Sequence, residues 1–319
     1  MLNMDENENI DEINENKQII KGYMQRTRVL TDVYEGVQKE RKQVKNRIDG
    51  LYRDHQISTE DAEKLHGQTD EELSRIEKDI KKEMESLVKK IPIYQVFLKD
   101  VVGIGPTFTT KLMAWIGDIE RFPNIGKLWK YCGQVPVAYC DNCNKRYFNR
   151  EEGEDVAWVE QKMKSKEQMI RERSVGKTKL EIDEKIADVQ QKLIKSTCRC
   201  DDPKPTMKAE KPRVGIYTIE YNPKLKSLSW IISDQFVRQG RYYRQLYDDF
   251  KAEDMAKNPQ LTDGHLHNRA KRKTVKIFLS HLWVYWREVE GLSITEPYAK
   301  KYLGHEVEMY PPRDEDGQI

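Results

Sequence analysis

Four of the five cysteines in this 319-residue sequence form two close pairs. Cys140 and Cys143 are separated by two residues, and Cys198 and Cys200 by one. Each pair can direct two sulfurs at one ion through a tight turn, and four thiolates are a typical ligand set for Zn²⁺. Four protein ligands leave no open coordination position, so the spacing predicts a structural zinc site rather than a hydrolytic one. Unliganded surface cysteines are the alternative.

A second feature able to do chemistry is a glycine-containing turn ahead of an apolar helix. In the segment 101–107, Gly103 and Gly105 flank Ile104, and Pro106 stands where a first helical residue is expected. The small residues leave the first amides of that helix open to a phosphate group. The segment therefore predicts a helix-hairpin-helix that binds a nucleic-acid backbone without reading bases. A plain Gly-Pro turn between two core helices is the alternative.

Basic residues are concentrated near the other end of the chain, where five of them lie between Arg269 and Lys276. A patch of one charge attracts phosphate groups, and an ordinary solvated helix face is the alternative. The predicted nucleic-acid contacts come from this stretch and from the glycine turn. They are Gly103, Ile104, Gly105, Pro106, Thr107, Thr109, Lys111, Arg269, Lys271, Arg272, Lys273 and Lys276.

Apolar residues at three- and four-residue steps predict the helices that must position these sites. Between Ile10 and Lys90 the pattern is typical of a coiled coil, with a lapse after which Ser58 or Thr59 can cap a second helix. We expect an antiparallel hairpin, although a continuous dimeric rod has the same periodicity. Further helices are predicted at 160–173, 179–195, 224–239, 242–255 and 267–290.

The composition limits the class of protein. Hydrophobic residues make up 37% of the chain and charged residues 34%, which favours a mostly α fold with modest cores and long solvated helices. The formal net charge of +2 does not by itself predict nucleic-acid binding. No apolar run approaches the ~20 residues of a membrane span, and the first residues are acidic rather than signal-like. We therefore expect a cytoplasmic protein in a reducing compartment, which suits a zinc site.

Several segments resemble the C-terminal transposase domain of the insertion-sequence-110 family, also called the 116/110/902 group. The first similar segments are Val101–Pro106, Leu112–Asp118, Arg121-Phe122 and Leu128–Pro136. Residues 215–222, with Leu225, Lys226 and Leu228, are similar to the family's glycine-asparagine-leucine-arginine segment, with Tyr221 in the glycine place and Lys226 in the arginine place. Residues 267–286 are similar to the closing basic helix of the family.

The resemblance implies DNA recombination by a transposase that binds DNA together with a structured guide RNA. Members of that family carry a coiled coil before the domain, and they begin with a resolvase-like domain bearing four carboxylates for divalent metal. In that place this sequence has the acidic segment and the coiled coil. The family's nucleophilic serine lies in the interval where this sequence carries its cysteines.

Five segments follow from these patterns. They are an acidic N-terminus and coiled coil (1–90), the helix-hairpin-helix part of a transposase-like domain (91–137), a four-cysteine zinc-binding insert with a helical hairpin (138–212), the remainder of the transposase-like helical domain (213–302) and a polar tail (303–319) expected to be loose at 311–319.

The sequence thus predicts a nucleic-acid-binding relative of insertion-sequence transposases that is catalytically incomplete alone. Its expected partners are DNA, structured RNA, and a second copy or a catalytic partner bound through the coiled coil, but no membrane. One alternative is an active transposase or recombinase that works with a separate catalytic domain or a guide RNA. The other is an architectural coiled-coil scaffold whose zinc insert recruits a partner protein.

Overall fold

A computed structural model describes residues 4–209, 221–295 and 309–319, with side chains from residue 18 onward except at 165, 208 and 209. This part of the chain is mostly α-helical, as predicted. Its elements are α1 (Met4–Arg53), α2 (Thr59–Leu65), α3 (Glu71–Val88), α4 (Pro92–Val96), α5 (Pro106–Ile116), α6 (Ile125–Tyr131), β1 (Pro136–Cys140), α7 (Glu154–Glu172), α8 (Lys179–Lys195), β2 (Pro205–Ala209), α9 (Pro223–Gln239), α10 (Arg241–Lys257) and α11 (Asp263–Val289).

The chain divides into two compact units. The helical unit comprises residues 1–129 and 224–319, and the cysteine unit comprises residues 130–223. Across the described ranges, no helix is both long enough and apolar enough to cross a membrane.

The first helices of the helical unit form an antiparallel hairpin. Ser58 caps α2, because its hydroxyl oxygen accepts a hydrogen bond from the Asp61 amide at 3.0 Å, and a π-helical turn then joins α2 to α3. Salt bridges between α1 and α3 show that the two helices run in opposite directions. Arg26 bonds Glu83 at 3.1 Å, and Arg41 bonds Glu77 at 2.8 Å, so later residues of α1 meet earlier residues of α3.

The core of the helical unit lies around α11, which is buried along most of its length. The indole N–H of Trp283 donates to the Phe122 carbonyl at 2.7 Å, and the Arg287 guanidinium donates to the same oxygen at 3.2 Å. The ring of Phe97 stacks on that of Tyr285 with centroids 4.7 Å apart. These contacts fix the segments before and after α5 on α11.

A buried carboxylate joins α10 to α11. The Asp254 side chain is 3% exposed and accepts hydrogen bonds from Arg269 at 3.2 Å and from Lys273 at 2.9 Å. Burial alone would raise the pKa of Asp254, but the hydrogen bonds from these two cations outweigh it and hold the pKa below its usual value. The cations of α11 therefore stabilise the helix pair through this one acid.

Replacing Asp254 with asparagine is expected to destabilise the protein by about 1–3 kcal/mol near neutral pH, because two charge-assisted bonds weaken in a buried site. A lowered folded-state pKa gives stability that is present above the unfolded-state pKa of about 3.9 and is lost as the pH falls through the folded-state value. Urea unfolding at pH 7 and in steps below pH 5 should therefore show the difference between variant and wild type shrinking with acid. The exposed Glu253→Gln, which breaks only surface pairs, should change stability by less than about 1 kcal/mol.

The end of the chain is docked, which corrects the expectation of a loose tail at 311–319. The Ile319 amide donates to the Asp100 carbonyl at 2.8 Å, and the Val102 amide donates to the Ile319 carbonyl at 3.1 Å. Arg313 bonds the Asp100 carboxylate at 2.6 Å. Ile319 is 1% exposed. Its buried side chain and the hydrogen bonds to residues 100 and 102 therefore keep this otherwise polar segment bound to the helical unit. Residues 303–308 of the predicted tail lie outside the described part.

The cysteine unit combines a two-stranded sheet with a helical hairpin. β1 pairs antiparallel with β2, with Cys140 opposite Pro205 at the end of β1. The bounds of α8 are those predicted, and Thr178 and Glu181 form a capping box at its start. α7 begins earlier than the predicted 160. Among its described residues, the hairpin buries a small apolar cluster, which consists of Val159, Met163 and Leu193 with Trp158, Ile186 and Val189 packed against it.

Candidate nucleic-acid interface and metal centre

In the glycine turn (101–107), the backbone at Gly103 is packed closely against neighbouring side chains, whereas the backbone at Gly105 faces open space. Gly103 has φ +93°, and a Cβ there would lie 3.2 Å from Gln239 Cγ and 3.3 Å from Gln235 Cβ. Only glycine suits this position. Gly105 is exposed, has an extended backbone with φ −80° and ψ 175°, and has nothing within 4 Å of a Cβ placed on it.

The N-terminus of α5 is open to a ligand. Pro106 begins the helix as predicted, and no side chain caps it. The first intrahelical bond runs from the Thr109 amide to the Gly105 carbonyl at 3.1 Å. The amides of Thr107 and Phe108 precede it, and neither donates to an acceptor among the described residues. Two free N–H groups beside a residue without a side chain can bind an anion.

Phe108 was missed by the sequence analysis because its side chain carries no polar group. Phe108 is nevertheless the third residue of α5, and because Pro106 has no N–H its amide is the second donor of the helix. The position of Pro106 at the first helical residue was the signal that could have identified it. At both Thr107 and Phe108, the group available to an anion is the backbone amide rather than the side chain.

Three other residues predicted at this turn are engaged inside the helical unit. Ile104 is buried, and its amide donates to the Val101 carbonyl at 3.0 Å. Thr109 is buried with its hydroxyl on the Gly105 carbonyl at 3.2 Å. The ammonium of Lys111 lies over the ring of Tyr34 on α1, and burial lowers the pKa of this lysine.

The five cations of α11 between Arg269 and Lys276 divide into three that pair with described carboxylates and two that do not. Arg269 and Lys273 bond the buried Asp254, as described above. Lys271 is 2% exposed, with its ammonium bonded to Asp234 and 3.4 Å from the ring centroid of Trp230. These three residues hold the helices of the unit together.

Arg272 and Lys276 differ from these neighbours because neither has a carboxylate partner among the described residues. The ammonium of Lys276 lies 4.1 Å from the ring centroid of Trp129, whose indole N–H donates to the Lys276 carbonyl at 3.0 Å. Burial and then the charge of Arg272 lower the pKa of Lys276. Two neighbouring cations, one of them partly desolvated, favour an anionic ligand between them.

The structure brings the four paired cysteines together at the end of β1. Their sulfurs all lie within 4.8 Å of one another, and those of Cys140 and Cys200 are 4.0 Å apart. A tetrahedral zinc ion with Zn–S distances of about 2.3 Å needs sulfurs roughly 3.8 Å apart. Four cysteines in this arrangement can hold one metal ion.

Local turns aim the sulfurs inward. Asn144 adopts φ +57°, and its amide donates to the Cys140 carbonyl at 2.7 Å, closing the turn around Cys143. The Cys198 amide donates to the Arg146 carbonyl at 2.7 Å, which joins the second pair to the first. Arg150 bonds the Cys200 carbonyl at 2.9 Å. These bonds orient the cluster from outside the ligand set.

The thiols of the cluster differ in acidity. Burial opposes ionisation of Cys140, but the backbone amides of Lys204 and Cys143 hydrogen-bond its sulfur and help lower its pKa to about 6. Hydrogen bonds with Cys143 and Cys198 raise the pKa of Cys200 to about 12. Four sulfurs this close can all ionise only around a cation. The donor set therefore fits a thiophilic divalent ion.

Residues 96–140 match the model of the transposase IS116/IS110/IS902 family. Over these residues the chain is similar to that family. The match spans the glycine turn, α5, α6 and β1 and ends at Cys140, the first of the four clustered cysteines. No curated protein and no solved structure is significantly similar to the chain. Most of the second similar segment, at 215–222, lies outside the described residues.

Proposed function

We propose that this protein binds the phosphodiester backbone of DNA or RNA at the N-terminus of α5, as a relative of insertion-sequence transposases. The observation that carries the proposal is the open helix start, where Gly105 is exposed and the amides of Thr107 and Phe108 have no partner among the described residues. A phosphate oxygen accepts from such amides and is favoured by the positive end of the helix dipole. The family match over 96–140 makes DNA the expected ligand.

The basic face of α11 supplies the second part of the proposed interface. Of the five cations predicted there, we retain Arg272 and Lys276, because Arg269, Lys271 and Lys273 already neutralise buried or half-buried carboxylates. Like-charged neighbours cost free energy when no anion is present, and a phosphate group removes that cost. Contacts of this kind position a nucleic acid without reading its sequence.

The double variant Arg272→Gln/Lys276→Gln tests this interface. If each cation contacts one phosphate, the slope of log affinity against log salt for a DNA duplex should fall by about 2, since each contact contributes roughly 0.9. Fluorescence anisotropy at several salt concentrations measures the slope. Lys251→Gln/Lys257→Gln removes the same charge from α10, where both lysines already pair with carboxylates. Equal slopes for the two double variants would contradict the assignment of Arg272 and Lys276.

We further propose that Cys140, Cys143, Cys198 and Cys200 bind one structural Zn²⁺ in the cysteine unit. The close sulfurs, the low pKa of Cys140 and the small apolar core of the α7–α8 hairpin support this. Bound zinc would fix the end of β1 to the segment after α8. It would give this unit stability that its side-chain packing alone does not supply.

A further inference from the structure

The turn between α7 and α8 carries an exposed cationic surface that the proposed interface does not include. We propose that this tip (173–179) is a second, independent binding site for the phosphodiester backbone of a nucleic acid. It belongs to the cysteine unit, whereas the turn and the basic face described above belong to the helical unit. The inference goes beyond the proposed function, because it assigns nucleic-acid contact to a different part of the chain.

Charge is distributed unequally along the hairpin. From Lys162 to Lys179 the sequence has seven basic and two acidic residues, whereas from Leu180 to Lys195 it has three basic and four acidic ones. The excess positive charge is therefore carried by α7 and the tip. A one-sided distribution of this kind is what attracts a polyanion, while the balanced face of α8 does not.

The tip presents its cations to solvent. Arg173, Lys177 and Lys179 are all exposed, and among the described residues none of the three bonds a carboxylate. Arg171, two residues before Arg173, differs because its guanidinium lies 3.9 Å from the Asp183 carboxylate. Three exposed cations within seven residues can bind two or three successive phosphates of one strand.

The backbone keeps these cations in a compact turn. The Lys177 amide donates to the Ser174 carbonyl at 3.1 Å, and Gly176 adopts φ +86°, a conformation that favours glycine. Thr178 then caps α8. The tip is thus an ordered turn between two helices, and its side chains lose less freedom on binding than those of an unfolded basic segment.

The apolar content of the tip distinguishes a nucleic acid from a lipid surface. Val175 is 90% exposed and Leu180 is 70% exposed. Stable insertion into a bilayer interface needs a whole apolar helix face, which two side chains do not provide. Two apolar side chains beside a group of cations are instead compatible with contact to sugars or bases next to a phosphate backbone.

The triple variant Arg173→Gln/Lys177→Gln/Lys179→Gln of the full chain tests the proposal. Binding to a 30-base-pair DNA duplex and to an RNA hairpin is measured by anisotropy between 50 and 200 mM salt, and we expect the salt slope to fall by about 2–3 for at least one of them. The matched control, Lys185→Gln/Lys192→Gln/Lys195→Gln on α8, removes the same net charge and should leave the slope unchanged. Melting temperatures establish that both variants fold.

Equal losses for the two triple variants would overturn the proposal, because net charge alone would then explain binding. No loss for the tip variant would also overturn it, as would a selective loss of binding to phosphatidylserine vesicles. A failure of the site at α5 is distinguishable from these outcomes. In that case substitutions at Gly105 leave binding unchanged while the tip variant still weakens it.

Discussion

Replacing Gly105 with aspartate is expected to stabilise the protein slightly and to weaken its binding to a DNA duplex by about 10- to 100-fold. The backbone at Gly105 already has the extended geometry of a helix N-cap, and a new side chain there meets no atom within 4 Å. The aspartate carboxylate would accept from the Thr107 or Phe108 amide, adding about 0.5–1 kcal/mol of helix stability. The same carboxylate would occupy the phosphate position and repel the ligand. Losing hydrogen bonds to a charged group, at about 1.5–3 kcal/mol, gives the expected loss of affinity.

The opposite signs of the two effects separate this substitution from simple damage to the fold. Gly103→Ala is the contrasting variant, because its φ of +93° and its contacts with Gln235 and Gln239 make any side chain costly. We expect that variant to lose about 1–3 kcal/mol of stability. Thermal melting and anisotropy on both variants check the account. Full DNA affinity in the Gly105→Asp variant would contradict it.

The second large effect concerns the metal centre. Replacing Cys198 with serine is expected to reduce bound zinc from one ion per chain to well below one and to unfold the cysteine unit. Zinc sites of this ligand type contribute on the order of 10 kcal/mol to the folding of small domains. In the described part of the chain, the α7–α8 hairpin has few buried apolar residues to replace that contribution. Metal analysis by mass spectrometry and circular dichroism before and after chelation measure the two effects.

Cys132 provides the control for the metal experiment. It is fully buried, it is not one of the four clustered cysteines, and burial raises the pKa of its thiol. Cys132→Ser should therefore retain one zinc ion per chain, whatever it does to stability. If the purified wild-type protein contains no zinc and its melting is unchanged by zinc or by chelator, the zinc assignment is wrong.

Local sequence signals predicted the parts of the fold that depend on local chemistry. The bounds of α8 were predicted from the helical spacing of its apolar residues, and Pro106 was predicted as the first residue of α5. The two cysteine pairs were predicted from spacing alone, and the structure brings them together. These signals need no knowledge of which distant elements pack against one another.

Partners distant in sequence account for what could not be predicted. The stretch from Arg269 to Lys276 looks uniformly basic, but α9 contributes Asp234 and α10 contributes Asp254, which bond three of its five cations. The side chain of Lys111 turns toward α1 for the same kind of reason. The docked end of the chain depends on Asp100, more than 200 residues earlier in the sequence. Pattern and composition carry no information about such pairs.

The most direct test of the binding site at α5 is hydrogen–deuterium exchange at the amides of Thr107 and Phe108, measured with and without a DNA duplex at low salt. Both amides lack acceptors in the described chain, so they should exchange quickly in the free protein. The proposed function predicts that saturating duplex slows exchange at these two amides and that Gly105→Asp abolishes this protection by the duplex. Unchanged exchange at both amides, in a protein that demonstrably binds the duplex, would contradict it.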